Sequence, residues 1–245
     1  MAKHELLEYD WRMDGDYAKF CVDLSLYNRA ADGEYPILVY VGCYAREEDA
    51  PLSAGELRHA AAFAAKCARK VDSLNAGFIE TEKIRQYYLY VRDRAAYDAL
   101  RDLAERERAI VCRVGGKKEP DWSSYFRILY PDAAKYQTVL NGEMLEQLYK
   151  KGDSDAPRRL NLHMYFPTDP ARDGFKAAAL EEGFAIGENE DRESGERPCG
   201  VVLHRICALK KWDVDAVTVQ AIRLAEKYNG QLRFWDCPIV PARSM

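Results

Sequence analysis

Runs of β-branched and aromatic residues alternate along this chain with stretches whose apolar positions recur every three or four residues. The runs "YAKFCVDLSLYN" (17–28) and "YPILVYVGCYA" (35–45) flank Ala-Asp-Gly-Glu and read as a hairpin. Ser53, with Glu56 three residues on, signals a helix whose inward face carries Leu57, Ala60, Ala61, Ala64, Ala68 and Val71 and which should stop near Asn75 or Gly77. Residues 77–93 read as two strands around Glu82-Lys83. A helix over about 94–107 follows, with Tyr97, Leu100 and Ala104 inward, then a strand at 109–115 whose Gly115-Gly116 pair predicts a turn. A further helix over 133–149 is weakened at Asn141-Gly142, and the polar segment 150–159, "KKGDSDAPRR", predicts a domain boundary.

The pattern after that boundary is cleaner. "RRLNLHMYF" (158–166) alternates as a strand, Asp169-Pro170 opens a helix and Gly183 ends it. Residues 184–209 read as a hairpin with an exposed acidic turn. Asp213 or Asp215 starts the last helix, with Val217, Ala221, Leu224, Ala225 and Tyr228 on one face, and "NGQLRFWDCPIV" (229–240) supplies the final strand. Strand, helix, strand, strand, helix, strand is the split βαβ order. The expectation is an α+β chain of two ferredoxin-like domains, 1–150 with an extra N-terminal strand and 158–245, each with helices on one face of an antiparallel sheet.

Composition narrows the function more than the fold. The 36 basic and 40 acidic residues are interspersed, giving a net charge of −4, so no broad basic field awaits a phosphate backbone and direct nucleic-acid binding is not expected. No run of about 18 apolar residues suggests a membrane span. The first residues lack the basic-then-apolar pattern of a secretory signal, so a cytoplasmic location is expected. The seven cysteines include no Cys-x-x-Cys pair and read as reduced thiols.

Candidate chemistry is thin. Trp235, Asp236 and Cys237 sit side by side, but an acid beside a thiol opposes thiolate formation, so no catalytic residue is assigned there. Alternation puts Cys199 and Cys207 on one strand face and His204 on the other, which argues against a metal site with His163. No nucleophile elbow, phosphate loop or dinucleotide fingerprint is present, and no cofactor is expected. Asn161, His163 and Tyr165 alternate away from Leu162, Met164 and Phe166, and if His204 shares that face the open sheet surface holds His163, Tyr165 and His204 as a recognition patch. Packing of the two domains' open faces against each other would bury that patch instead. Tyr88 and Tyr90 share one face of their strand, as base-stacking tyrosines do in RNA-binding sheets, although no matching motif accompanies them.

The segments "LHMYFPTD", "EEGFAI", "CGVVLHRICAL" and "LAEKYNGQLRFWD" resemble the bacterial family of the regulator of ribonuclease E activity B, across essentially all of the second half. Trp11 and "DWSSYFRILYPD", with Asp121, Trp122, Tyr125 and Pro131, resemble an uncharacterised bacterial domain that often precedes it. The resemblance implies a ferredoxin-like fold and a non-enzymatic regulator whose protein partner is ribonuclease E or another RNA-processing enzyme. One departure stands out: where that family tends to carry tyrosine, aspartate and glycine before the tryptophan, this chain has Leu232, Arg233 and Phe234, reversing the local charge. His163, Tyr165, His204, Arg233 and Trp235 are therefore the candidate partner-binding residues. The competing expectation is an enzyme or small-molecule binder with a cleft between the domains, lined by His163, Tyr165 or Trp122.

Overall fold

The computed structural model describes residues 5–13 and 16–241 and separates into two compact units, Met1–Pro131 and Asp132–Met245. In the first unit, β1 (Leu6–Met13), β2 (Asp16–Asp23), β3 (Ile37–Tyr44), α1 (Ala54–Lys70), β4 (Ser73–Glu80), β5 (Ile84–Val91), α2 (Arg94–Glu105) and β6 (Val111–Lys118) follow one another. Their antiparallel sheet has the order β1-β2-β4-β5-β3-β6. The run β3 to β6 is thus a split βαβ unit, and the hairpin β1-β2 extends it along β4. The hairpin expected between 17–28 and 35–45 does not form: β2 pairs with β1, while β3 pairs with β5 and β6. Two added strands, not one, precede the repeat.

Local chemistry explains the other shifts. α1 is opened by the full reciprocal Ser53–Glu56 box but stops at Lys70, because Val71 turns extended and the chain enters β4 at once. Asn75 and Gly77 are not a helix stop but a bulge inside β4. The Asn75 side chain accepts the Gly77 N–H at 3.1 Å, and Gly77 (φ 136°) passes so close to Cys21 that a Cβ would lie 1.9 Å from its carbonyl oxygen. Gly115 and Gly116, expected as a turn, lie within β6, where the rings of Tyr40 and Tyr97 occupy the space a side chain would need.

One face of this sheet packs Val39, Val41, Tyr87, Leu89 and Val91 against Ala60, Phe63, Ala64 and Leu100 of α1 and α2. The other face is covered by the unit's own segment 119–130. Trp122, 1% exposed, stacks on Tyr90 at 3.7 Å and 5°, and its indole N–H donates to the Tyr35 carbonyl at 2.9 Å. The Tyr90 hydroxyl donates to Glu119, the Tyr125 hydroxyl to the Asp23 carbonyl, and the Tyr9 hydroxyl to the Leu129 carbonyl across a π-helical turn, Tyr125–Leu129. Tyr88 and Tyr90 are buried, so they offer no base-stacking platform, and Trp122 is packed inside the unit.

The second unit opens with α3 (Ala133–Lys150) and continues with β7 (Arg158–Phe166), α4 (Asp169–Glu181), β8 (Ala185–Asn189), β9 (Cys199–Cys207), α5 (Lys211–Glu226) and β10 (Gln231–Asp236). Its sheet order, β10-β7-β9-β8, repeats the split βαβ topology, and Leu160, Leu162, Met164 and Phe166 of β7 are fully buried beneath the helices. The division of the chain falls before α3 and not within 150–159, because α3 packs along α5. Asn141, which weakens the helix on propensity alone, fixes that packing. It donates to Asp215 and Thr218 at 2.8 Å each and accepts from Gln137 at 2.9 Å and from the Trp235 indole at 2.7 Å. Asp215 is thereby an interior residue of α5, paired with Lys211, and not its first. The polar 150–159 segment is anchored as well: Asp153 and Arg158 form a buried pair at 2.6 Å, and Arg158 also donates to the Pro238 carbonyl.

Candidate protein-binding face of the second sheet

Alternation along β7 and β9 sends Leu162, Met164, Val201 and Leu203 toward the helices and leaves Asn161, His163, Tyr165, Val202 and His204 on the opposite face. Of the five residues expected at an interface, His163, Tyr165 and His204 therefore share one surface. Cys199 and Cys207 register with Phe166 and Arg158, away from both histidines.

β10 completes this surface with one irregularity. Its register against β7 slips between Leu232 and Phe234, so Arg233 is an extra residue and the alternation reverses beyond it. Phe234 lands opposite His163 on the open face. Trp235 lands opposite Leu162 on the helix side, 3% exposed, with its indole bonded to Asn141. Trp235 is a core residue that reaches the surface only as part of the lining of a groove beside α3, whereas Arg233 is exposed at the sheet edge.

The open face is wired by charge. His163 Nδ1 lies 2.7 Å from Glu190 and Nε2 lies 2.7 Å from Asp236, and Phe234 stacks on the ring at 4.0 Å and 16°. Both carboxylates are served together only when both ring nitrogens carry hydrogen. Asn161 links the set, donating to Asp236 at 2.6 Å and accepting from His204 Nδ1 at 2.9 Å. Hydrogen bonding from His163 holds the Glu190 carboxyl below its ordinary range, with the Tyr165 hydroxyl adding to it against the cost of burial. Burial, together with the nearby Arg159 guanidinium, pushes the His204 imidazole down. Tyr165, 5% exposed, has its hydroxyl pushed up by burial and by Glu190. Burial above all raises the Cys237 thiol, with Asp153 and Asp236 adding to the effect against Arg158.

Arg192 and Arg233 lie over the Tyr165 ring at 5.4 and 5.9 Å. Together with Arg197, Glu196, Gly195 and Gln231 they line a groove of about 340 Å³. On the far side of Arg233, a second groove of about 220 Å³ runs between β10 and α3, lined by Leu140, Met144, Phe234 and Trp235 with Glu143 and two glutamines at its polar part. The parts that Glu190, Asp236 and Phe234 play on this face escaped the sequence, whereas Asn161 lies on the polar side that alternation gives it. Glu190 sits in what reads as a solvated acidic turn, and the other two depend on a bulge that alternation alone does not reveal. Among the described residues no group of His, Cys, Asp and Glu has metal-holding geometry, and no helix is long and apolar enough to cross a membrane.

No curated protein matches the chain. The crystal structure of an unknown protein from Galdieria sulphuraria is similar over 83% of this chain and 97% of that one, at 10% identity and a TM-score of 0.23. Residues 139–237, from α3 through β10, match the family model described as Regulator of ribonuclease activity B.

Proposed function

We propose that this chain is a non-enzymatic regulator that works in the cytoplasm by binding a protein partner, an RNA-processing ribonuclease such as ribonuclease E, through the open face of β7, β9 and β10. The observation that carries the reading is the match of residues 139–237 to a family of regulators of ribonuclease activity. The matched span contains all four strands of the second sheet, including the face where His163, Phe234 and Arg233 meet. The surface chemistry supports binding over turnover. His163 is committed to two carboxylates and a stacked ring, and the cysteines nearest the sheet ends, Cys199, Cys207 and Cys237, all have raised thiol pKa values.

Such a regulator acts by occupying a surface of the nuclease, so its effect should saturate with its own concentration and survive changes of RNA sequence. The test is cleavage of a fluorescent RNA by purified ribonuclease E with increasing amounts of the chain. The reading expects cleavage to slow to a plateau, with less slowing by the Arg233→Gln/Phe234→Ser variant. Cleavage unchanged at excess folded protein would overturn it.

A further inference from the structure

The two grooves that meet at Arg233 differ in chemistry, and together they specify an occupant. On one side, Arg192, Arg197 and Arg233 face a cavity of about 340 Å³ that has Glu196 as its one lining acid. Arg197 is oriented by a hydrogen bond from Nε to the Asn229 carbonyl at 2.9 Å. Arg197 also lies 3.8 Å from Glu196, whereas among the described residues neither Arg192 nor Arg233 has a carboxylate within ion-pairing distance, although the chain is acidic overall. Three guanidinium groups with a single carboxylate among them, two of them without an ion pair, form a local positive field suited to planar carboxylates. On the other side, Leu140 and Met144, one helical turn apart on α3, are each 38% exposed, and Phe234 is 42% exposed, held in place by its stacking on His163.

The geometry points to a binding surface for an acidic, apolar segment of a protein partner, with carboxylates in the arginine groove and an apolar side chain between Leu140, Met144 and Phe234. This rests on the regulatory reading above and adds the partner's chemistry to it. Charge complementarity selects the first half of the occupant, and the pre-set Phe234 ring against the α3 stripe selects the second. A nucleic-acid strand fits less well, because a phosphate at every residue would have to cross the apolar groove. The β10 bulge joins the halves: by inserting Arg233 it turns Phe234 outward beside it. Without it, Trp235 would face outward and α3 would lose its anchor.

The test is fluorescence anisotropy with the full chain and three labelled probes: a short peptide with a pair of leucines followed by a run of glutamates, the same peptide with glutamines for glutamates, and an oligouridylate of equal length. The expected result is capture of the glutamate peptide, weakened at least about tenfold by glutamine replacement, by the Arg197→Gln/Arg233→Gln variant and by Met144→Glu. All these side chains are on the surface, and unchanged circular dichroism and thermal midpoint establish that the variants fold. Equal binding of both peptides, no effect of the substitutions, tighter binding of the oligouridylate, or no binding would each overturn the proposal. Running the ribonuclease assay on the same proteins separates the two readings. Peptide capture without an effect on cleavage removes the regulatory reading alone, and an effect on cleavage indifferent to Arg197, Arg233 and Met144 removes the groove alone.

Discussion

The two sheets share a strand order and differ in what lies on their second face. In the first unit, β4-β5-β3-β6 carries helices on one face and the aromatic segment 119–130 on the other, with Trp122 stacked on Tyr90 and the Tyr90 and Tyr125 hydroxyls both bonded. In the second, β10-β7-β9-β8 carries helices on one face and a charged, hydrogen-bonded surface on the other. One topology thus yields a sealed, three-layered scaffold and a two-layered unit with a face to offer.

The largest expected effect tests the seal. Trp122→Ala removes a fully buried ring and the bond to Tyr35, and should cost about 3–5 kcal/mol in a denaturant melt of the first unit. His163→Gln, on the open face of the other sheet, should cost about 1 kcal/mol or less, since Glu190 and Asp236 can recover water. Equal losses would mean that the two faces are not different in kind.

Next in size is the buried network of the second unit. Asn141→Leu strands the Trp235 indole N–H and removes a hydrogen bond from Asp215, and should cost about 1–3 kcal/mol. The downfield indole resonance of Trp235 should shift or broaden in the proton spectrum, while that of Trp122 stays in place. An unchanged Trp235 signal would refute its anchoring by α3.

A smaller effect concerns acid. The folded Glu190 carboxyl is held below its ordinary value of 4.5, mainly by hydrogen bonding from His163. A carboxyl depressed by folding adds stability that is present above 4.5 and is lost as pH falls through its folded value. The wild-type protein should therefore lose stability over that interval more steeply than His163→Gln, as read by thermal midpoints across the acid range. Identical acid limbs would show that His163 does not hold Glu190.

Smallest of all is the stability change on Arg233→Gln, within about 0.5 kcal/mol, because this side chain is exposed at a bulge. Its effect belongs to binding.

Much of the architecture was legible because periodicity is a backbone property. The order of β3 to β6, the whole of β7 to β10 and the open face of His163, Tyr165 and His204 all follow from spacing. The failures share one cause, a local pattern overridden by a neighbour distant in sequence. Gly115-Gly116 has the chemistry of a turn, but the Tyr40 and Tyr97 rings are what require it to be bare. Asn141 weakens a helix until Asp215, Thr218 and Trp235 surround it. Segment 150–159 has a linker's composition, yet Asp153 and Arg158 bury each other there. The misplacement of Trp235 is the most instructive. Strict alternation puts it beside Arg233, and a single inserted residue moves it from the surface to the core.

The central claim is that the second sheet's open face binds the partner while the first sheet is sealed. Hydrogen–deuterium exchange of the full chain, with and without saturating ribonuclease E, tests it most directly. The account predicts slowed exchange in β10, in the 190–198 loop and along the outer turns of α3, with 119–130 unchanged because it is already protected. Slowing confined to the first unit, or no change in β10 and its neighbours while the nuclease is demonstrably bound, would contradict it.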